Sequence, residues 1–341
     1  MNRYGGLFER IVEWDNIRLA YYLASKGKRT KPDVLDFRHD LDINLDRVRN
    51  TLLDPNISGI GDYRFFTILD PKERKICAAP FFDRVLHHAV MHVLEPYFES
   101  FQIYDSYACR VGKGTDAAIR RALYFARRYG RFAKLDVRAY FDSIDHAKLN
   151  AMIERRFKDR RVVRILEAII DSYHIDPGKG VPIGNLTSQF FANHYLAFLD
   201  HDIKERLRLH GYVRYMDDML LFGDSGEELR NVCSEIERFC SDELALELKP
   251  PIISRTSAGA PFLGFLVKPK GVYLTRKKRR RTKRRLGEFA HKYLNGDWNE
   301  SELADHILPV CAHLALARSR WIRNTLIERA GLGHEPGSSR R

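Results

Sequence analysis

The stretch Tyr215-Met216-Asp217-Asp218 places two adjacent carboxylates inside an otherwise apolar run, Gly211–Gly223. Apolar residues on both sides predict two short buried strands that meet at the acidic pair. Neighbouring side chains on a strand point to opposite faces, so both acids can serve one site only if the backbone turns between them. A buried carboxylate pair is costly unless a cation neutralises it, and carboxylate oxygens suit Mg²⁺. A solvated Asp-Asp turn is the alternative interpretation.

A third carboxylate lies upstream, in Phe132–Val137, which predicts a short strand with Asp136 at its end. Asp145 is the predicted N-cap of the helix that follows. An acid at a strand end that faces an acidic hairpin turn meets the requirement of two-metal nucleotidyl transfer, in which carboxylates hold two ions roughly 3.5–4 Å apart. An ordinary acid at a strand end is the alternative for Asp136 considered alone.

A loop rich in glycine and proline, Gly180–Asn185, precedes a predicted long helix that has Thr187 or Ser188 as its N-cap. A polar loop that enters a helix beside the acids is suited to cradle a nucleotide and a template base.

The order of these three segments resembles the A, B and C motifs of reverse transcriptases. Other segments resemble the same family in the same order: the fingers in Asp70–Ile76 and Phe82–Leu86, the approach to the palm in Tyr107–Thr115, motif D in Leu246–Lys249 and the primer grip in Phe262–Phe265. The resemblance implies an α+β fold, namely a right-hand polymerase with fingers, a palm of antiparallel sheet plus helices, and a helical thumb. It implies an RNA-directed DNA polymerase, a nucleotidyltransferase that uses two Mg²⁺ ions, with Mn²⁺ as the alternative ion.

The expected domains follow that order along the chain: N-terminal helices and fingers in 1–130, palm in 131–275 with part of the fingers inserted at about 150–185, thumb in 276–332, and a disordered tail in 333–341.

The resemblance also implies roles for individual residues. The catalytic set is Asp136, Asp217, Asp218 and Lys249, the last as the acid that protonates pyrophosphate. The metal ligands are the three aspartates and Val137. The nucleotide-binding residues are Lys72, Arg74, Arg110, Phe141, Ile183, Gly184 and Gln189. The nucleic-acid-binding residues are Tyr215, Met216, Phe262, Leu263, Gly264, Lys277, Lys278, Arg280, Arg281 and Arg284.

Several of these assignments keep an alternative. Phe141 stands where the family places an aromatic gate that excludes the ribose 2′-OH, and a core phenylalanine is the competing interpretation. Lys72 and Arg74 would neutralise the triphosphate, or else form a solvated basic face. Arg110 would contact either the template or the nucleotide.

One departure from the family pattern indicates a particular branch of the reverse transcriptase family. Most reverse transcriptases have Gln-Gly in the glycine loop, where this chain has Ile183-Gly184 followed by Ser188-Gln189. This form resembles the enzymes of diversity-generating retroelements, which copy template adenines with errors. An isoleucine offers only shape where a glutamine amide offers hydrogen bonds, so nucleotide selection should loosen. The alternative is that Ile183 simply packs under the loop.

The net charge of +13 is concentrated, because Arg276–Arg285 supplies nine positive charges and leaves 13 − 9 = +4 for the remainder. Such a run suits the backbone of an RNA–DNA duplex, and a localisation signal or solvated helix is the alternative. The expected partners are template RNA, the RNA–DNA duplex, dNTPs and, by the resemblance, a small basic oligomeric accessory protein.

Five scattered cysteines without a C-x-x-C pair, and no signal peptide, predict a cytoplasmic protein encoded by a bacterium, an archaeon or a phage. No apolar run approaches the ~20 residues of a membrane span, so no membrane partner is expected.

The remaining candidates are retron, group II intron-like and antiphage-defence reverse transcriptases. A candidate of another class is a maturase-like protein that binds RNA without polymerising. Retention of all three carboxylates argues against that class.

Overall fold

A computed structural model of the chain describes residues 3–69 and 73–317. Helices occupy these ranges: α1 Phe8–Ile11, α2 Trp14–Ser25, α3 Pro32–His39, α4 Leu41–Leu53, α5 Phe81–Glu99, α6 Gly114–Arg128, α7 Tyr140–Ser143, α8 His146–Arg156, α9 Arg160–Asp171, α10 Leu186–His201, α11 Gly226–Leu244, α12 Arg276–Leu294 and α13 Glu300–Ala315. Strands occupy these ranges: β1 Arg64–Leu69, β2 Glu73–Ala78, β3 Arg131–Asp136, β4 Tyr212–Tyr215, β5 Asp218–Gly223, β6 Ile252–Arg255, β7 Ala260–Phe262, β8 Phe265–Lys268 and β9 Gly271–Leu274. A π-helical segment, Asp202–Arg206, follows α10. None of the helices in the described part is long and apolar enough to cross a membrane.

The chain divides into two compact units, each drawn from three segments. The first unit contains the described residues up to Arg110, then Val137–Arg208 and Ser234–Lys249. The second contains Val111–Asp136, Leu209–Cys233 and the described residues from Pro250 onward. These boundaries do not follow the expected fingers, palm and thumb divisions, which stay a prediction.

The second unit is built on a four-stranded antiparallel sheet in the order β4-β5-β3-β6. Its central strands are almost completely buried: Phe132, Ala133 and Leu135 on β3, and Met219 to Phe222 on β5. Gly211 permits the close approach at the start of β4, since a Cβ there would lie 2.6 Å from the carbonyl oxygen of Phe222. This burial makes the ends of the central strands a rigid support for side chains.

A second antiparallel sheet in this unit has the order β7-β8-β9 and is followed by α12 and α13. The buried Leu286 and Phe289 on α12 pack against Trp298 and against residues of α13. The rest of α12 is strongly basic, and most of its basic residues are exposed. Helix α12 therefore has a narrow apolar stripe and presents most of its charge to solvent.

The first unit combines the β1–β2 hairpin with helices, of which α5 is the most contacted. Helix α5 packs against α2, α4 and α10 through apolar residues that include Leu86, Val90 and Leu94. Near the end of α10, the hydroxyl of Tyr195 donates to the carbonyl oxygen of Leu244 at 2.6 Å.

One predicted local feature differs from the structure. The N-cap of α10 is Asn185, two to three residues before the predicted Thr187 or Ser188, which both lie buried inside the helix. In the segment that resembles motif D, Leu248 forms an isolated bridge with Val137, and the next strand is β6, Ile252–Arg255. The predicted N-cap role of Asp145 is confirmed, since its side chain accepts from the backbone N–H of Lys148 at 3.0 Å.

Candidate functional site

The acidic corner, defined as Asp136, Asp217 and Asp218, forms at the end of the central strands of the second unit. Asp136, the last residue of β3, is the register partner of Asp218, the first residue of β5. Asp218 also pairs with Tyr215, so Met216 and Asp217 make a two-residue turn between β4 and β5. Directly opposed residues of antiparallel strands project from the same face, so Asp136 and Asp218 point to one side. The predicted pair of short strands that meet at the acidic pair is confirmed, with the turn at Met216–Asp217.

The turn of the acidic corner has a strained backbone, and hydrogen bonds from neighbouring side chains support it. Met216 has φ +56, a left-handed backbone angle that L side chains rarely adopt. The guanidinium of Arg214, which is 0% exposed, donates through Nη1 to the carbonyl oxygen of Met216 at 3.3 Å. The hydroxyl of Thr115 donates to the Tyr215 hydroxyl at 3.4 Å. These contacts support a backbone conformation that the Met216 side chain itself disfavours.

The electrostatics of the corner centre on Asp218, whose side chain is 20% exposed. Burial raises the pKa of Asp218, the nearby Lys134 opposes that rise, and the charges of Asp136 and Asp217 add to it. The ammonium of Lys134 lies 2.9 Å from Oδ1 and 3.1 Å from Oδ2. Only the bond to Oδ2 has hydrogen-bonding geometry, which leaves Oδ1 buried without a hydrogen bond.

The donor set of the corner suits a hard cation, because it offers the carboxylate oxygens of Asp136, Asp217 and Asp218. Within residues 3–69 and 73–317, however, no group of three or more His, Cys, Asp and Glu side chains is arranged to hold a metal ion. Polymerase Mg²⁺ ions are usually held by one or two carboxylates together with substrate phosphates and water. The corner fits that kind of site better than an all-protein cage.

A second two-residue turn lies in the same unit, between β7 and β8. Phe262 pairs with Phe265, and both Leu263 and Gly264 have positive φ, +50 and +81, as a type I′ hairpin turn requires. Thr275, the N-cap of α12, donates from its hydroxyl to the carbonyl oxygen of Gly264 at 3.1 Å. This turn, predicted as the primer grip, is joined to the first residues of the basic helix.

The basic residues at the start of α12 differ in their surroundings. Lys278 donates to the carbonyl oxygen of Leu263 at 3.4 Å, and its ammonium lies 3.6 Å from the ring centroid of Phe265. Burial, assisted by the charge of Arg281, lowers the pKa of Lys278 to about 8. Lys277 and Arg280 are exposed. Arg284 is also exposed, and its Nε lies 3.4 Å from Oε1 of Glu288. The geometry gives Lys278 a structural use, whereas Lys277 and Arg280 present their charges to solvent.

In the first unit, the glycine loop is fastened to the β1–β2 hairpin. The backbone N–H of Cys77 donates to the carbonyl oxygen of Ile183 at 3.1 Å. Gly184 has φ +115, and a Cβ there would lie 3.2 Å from Ile76 and 3.4 Å from the Cys77 carbonyl oxygen. Only glycine meets both demands without strain. The side chain of Ile183 itself is half-buried.

Phe141 and Gln189 also belong to the first unit. The carbonyl oxygen of Phe141 accepts from the N–H of Val181 at 2.9 Å, which joins the segment after Asp136 to the start of the glycine loop. The Phe141 ring is half-buried, as is Gln189 on α10. A fully buried core position for Phe141 is therefore wrong, and the gate role stays a prediction.

The other predicted residues have varied settings. Arg110 is 7% exposed; it pairs with Glu99 at 2.6 Å and donates to the carbonyl oxygens of Ile103 and Ser106. This geometry favours a structural role, and contact with nucleotide or template stays a prediction. Lys249 is exposed. Lys72 lies outside the described residues, and Arg74 is described only in its backbone, on β2.

Lys134 and Arg214 contact the acidic corner and its turn, and the sequence predictions missed both. Both interrupt apolar strands, and both are close in sequence to an acid of the corner. A cation two residues before a strand-end acid shares its face of the strand, and that spacing was the available signal for Lys134. Arg214 points away from that face and carries no comparable signal.

Residues 70–267, more than half of the chain, match the family described as reverse transcriptase (RNA-dependent DNA polymerase). Protein YkfC of Escherichia coli is 30% identical over 135 residues, which are 36% of this chain and 35% of that protein. Group II intron-encoded protein LtrA of Lactococcus lactis is 22% identical over 298 residues, 66% of this chain and 48% of that protein. The chain thus covers less than half the length of either relative.

Among solved structures, apo telomerase of Candida tropicalis truncated from its C-terminal domain has a TM-score of 0.50 and 13% identity, covering 62% of this chain and 55% of that one. Another apo telomerase structure from the same organism has a TM-score of 0.50 and 12% identity, covering 65% and 50%. With the family match, this likeness confirms the predicted α+β right-hand polymerase fold class.

Proposed function

The chain belongs to the reverse transcriptase family, and we propose that it is an RNA-directed DNA polymerase that copies a template RNA into cDNA. The observation that carries the proposal is the acidic corner. Asp136 and Asp218 are register partners, and Asp217 stands in the adjoining turn. Three carboxylates brought together at the end of a buried sheet repel one another, and divalent cations that also bind the substrate phosphates would offset that repulsion.

Asp136, Asp217 and Asp218, with the main chain at Val137, would hold divalent ions. Such ions stabilise charge on the attacking primer 3′ oxygen and on the leaving pyrophosphate. Lys249 supplies the proton that the pyrophosphate takes as it leaves. Phe141 excludes the ribose 2′-OH, and Lys72 and Arg74 bind the triphosphate. The Phe262–Gly264 turn contacts the primer, and the exposed cations of α12 hold the RNA–DNA duplex.

We further propose that the enzyme serves a diversity-generating retroelement and misincorporates opposite template adenine. Support comes from Ile183, which replaces a hydrogen-bonding side chain by an apolar one, and apolar contacts discriminate weakly between substrates of similar size. The partners would then be a structured template RNA and a small basic oligomeric accessory protein.

Ile183→Gln tests the fidelity proposal. We expect fewer misincorporations opposite template adenine and little change opposite the other three bases, because the restored amide penalises badly placed nucleotides. Deep sequencing of cDNA from wild type and variant measures this, with the neighbouring Ile175→Gln as a matched control at an exposed position. An unchanged error spectrum contradicts the proposal.

A group II intron-type reverse transcriptase is the second candidate, because LtrA is by its name an intron-encoded protein. Retron and antiphage-defence enzymes are less favoured relatives of the same class. The template distinguishes them: sequencing the RNA that co-purifies with the chain should recover a retroelement repeat under our proposal, and an intron under the second.

Extension of a DNA primer on poly(rA) tests the polymerase activity itself. We expect wild-type protein to extend the primer in Mg²⁺ and Asp217→Ala to fail while binding the same RNA. RNA binding without extension by the wild type would contradict the proposal and favour the maturase-like class.

A further inference from the structure

Lys134 occupies a position on β3 from which one side chain reaches two elements. It lies two residues before Asp136, so both side chains share one face of the strand. In the ladder, Lys134 pairs with Leu220 and Asp136 pairs with Asp218, which makes Asp218 the diagonal neighbour of Lys134. The ammonium lies 2.9 and 3.1 Å from the two carboxylate oxygens of Asp218, and donates to the carbonyl oxygen of Pro261 on β7 at 3.1 Å.

We propose that Lys134 is a positioning residue of the polymerase, which holds the Asp218 carboxylate in one orientation and fastens it to the β7–β8 hairpin. The inference rests on the proposed function. In this arrangement the Asp218 carboxylate is held by an ammonium of the protein itself.

Burial makes this arrangement specific. The side chains of Lys134 and Asp218 are 19% and 20% exposed, so neither charge has bulk water as a ready alternative partner. Removal of one member of such a pair leaves the other charge uncompensated, whereas replacement of both can be nearly neutral. An ammonium on a four-carbon stem could adopt many positions, and the Pro261 carbonyl restricts it to one.

The contact with Pro261 also gives the pair a mechanical role. Strand β7 pairs with β8 through Phe262 and Phe265, and the turn between them is the predicted primer grip. Lys134 therefore connects the acid to the hairpin proposed to hold the primer. Displacement of an acid by 1 Å can cost about 10²-fold in rate, so loss of this connection should act on the chemical step.

Single-turnover addition of one dNTP tests the role. For Lys134→Met we expect the maximal single-turnover rate constant to fall at least about tenfold, while the dNTP concentration that gives half of that rate stays within about threefold of wild type. Lys134→Arg should recover part of the loss. Titration of active sites by burst amplitude corrects for any misfolded fraction. A maximal rate constant near the wild-type value, or an effect confined to the half-saturating dNTP concentration, would overturn the proposal.

Lys148→Met is the matched control. Lys148 also bonds two oxygens of the protein, the carbonyls of Asp242 and Glu243 at 3.2 and 3.0 Å, but it pairs with no acid of the corner. The same replacement there should leave the maximal rate constant within about twofold of wild type, since it displaces no group of the corner. An equal loss of activity in both variants would show that Lys134 contributes only to the general stability of the protein.

A double-mutant cycle in metal-free protein tests the pair without any activity. We expect Lys134→Met to lower the urea midpoint of unfolding, and to lower it by less than half as much in an Asp218→Asn background. Additive shifts would overturn the pairing. This cycle stays informative even if the wild-type protein extends no primer, so failure of the proposed function and failure of the inference can be told apart.

Discussion

Two two-residue turns of the second unit, β4–β5 and β7–β8, begin with similar backbone φ angles and differ in the side chains that surround them. Met216–Asp217 and Leu263–Gly264 each join antiparallel strands through two residues, and each begins with a non-glycine residue at positive φ, +56 and +50. The second turn is bound to the start of α12 by Thr275 and Lys278. The first places Asp217 beside two other acids. Backbone strain alone therefore does not identify a reactive turn; the side chains around it do.

The largest expected effect separates the turns by their side chains. Asp217→Asn should lower the rate of nucleotide addition on the order of 10³-fold, because the amide removes a charge where charge must be stabilised. Leu263→Asn introduces the same amide in the other turn, where asparagine tolerates positive φ, and should change the rate only a few-fold. Single-turnover kinetics of both variants measures the difference. Comparable losses would erase the distinction between the turns.

The next effect concerns nucleic-acid affinity near the second turn. Lys277→Gln and Arg280→Gln should each weaken binding of an RNA–DNA duplex, and each should reduce the slope of log affinity against log salt by about 1. Lys278→Met should leave that slope unchanged, because its ammonium is directed at Leu263 and Phe265. Fluorescence anisotropy over a salt series measures the slopes, and a reduced slope for Lys278→Met would show that it contacts phosphate.

Relief of backbone strain should have a smaller effect. Met216→Gly and Leu263→Gly should each raise the free energy of unfolding, by up to about 1 kcal/mol, because glycine adopts positive φ without steric cost. Nucleotide addition should fall in Met216→Gly alone, since that turn carries Asp217. Urea unfolding and primer extension on the same preparations test this, and lower stability in both variants would mean that the two turns are not strained.

The last expected effect is a pH dependence of the stability that the second turn contributes. The pKa of Lys278 is lowered from 10.5 in the unfolded chain to about 8 in the folded one. The unfolded chain therefore binds more protons between these values, so this lysine's contribution to stability is lost as pH falls from about 10.5 to 8 and regained as pH rises. As pH rises from about 8 to 10.5, wild type should gain stability relative to Lys278→Met. Urea unfolding at several pH values measures this gain. A constant difference would contradict the lowered pKa.

The sequence was sufficient to predict the elements that carry the acids. Apolar runs interrupted by Asp136 and by Asp217–Asp218 predict strands that end or turn at those residues, and β3, β4 and β5 do so. The N-cap of α10 was misplaced because Thr187 and Ser188 are equally good caps by residue type, and their burial decides against them. The Lys134–Asp218 pair depends on strand register, and the capping of the Leu263–Gly264 turn by Lys278 depends on tertiary contact. Neither is encoded in local sequence.

The central claim is that the acids at the ends of the buried strands catalyse addition of nucleotides on an RNA template. Single-turnover incorporation of one dNTP by Asp136→Asn, set against Asp142→Asn, tests it most directly, because Asp142 is a half-buried acid outside the corner and only six residues further along the chain. We expect Asp136→Asn to lose activity on the order of 10³-fold without a fall in the unfolding midpoint, and Asp142→Asn to stay within a few-fold of wild type. Undiminished incorporation by Asp136→Asn would contradict the claim.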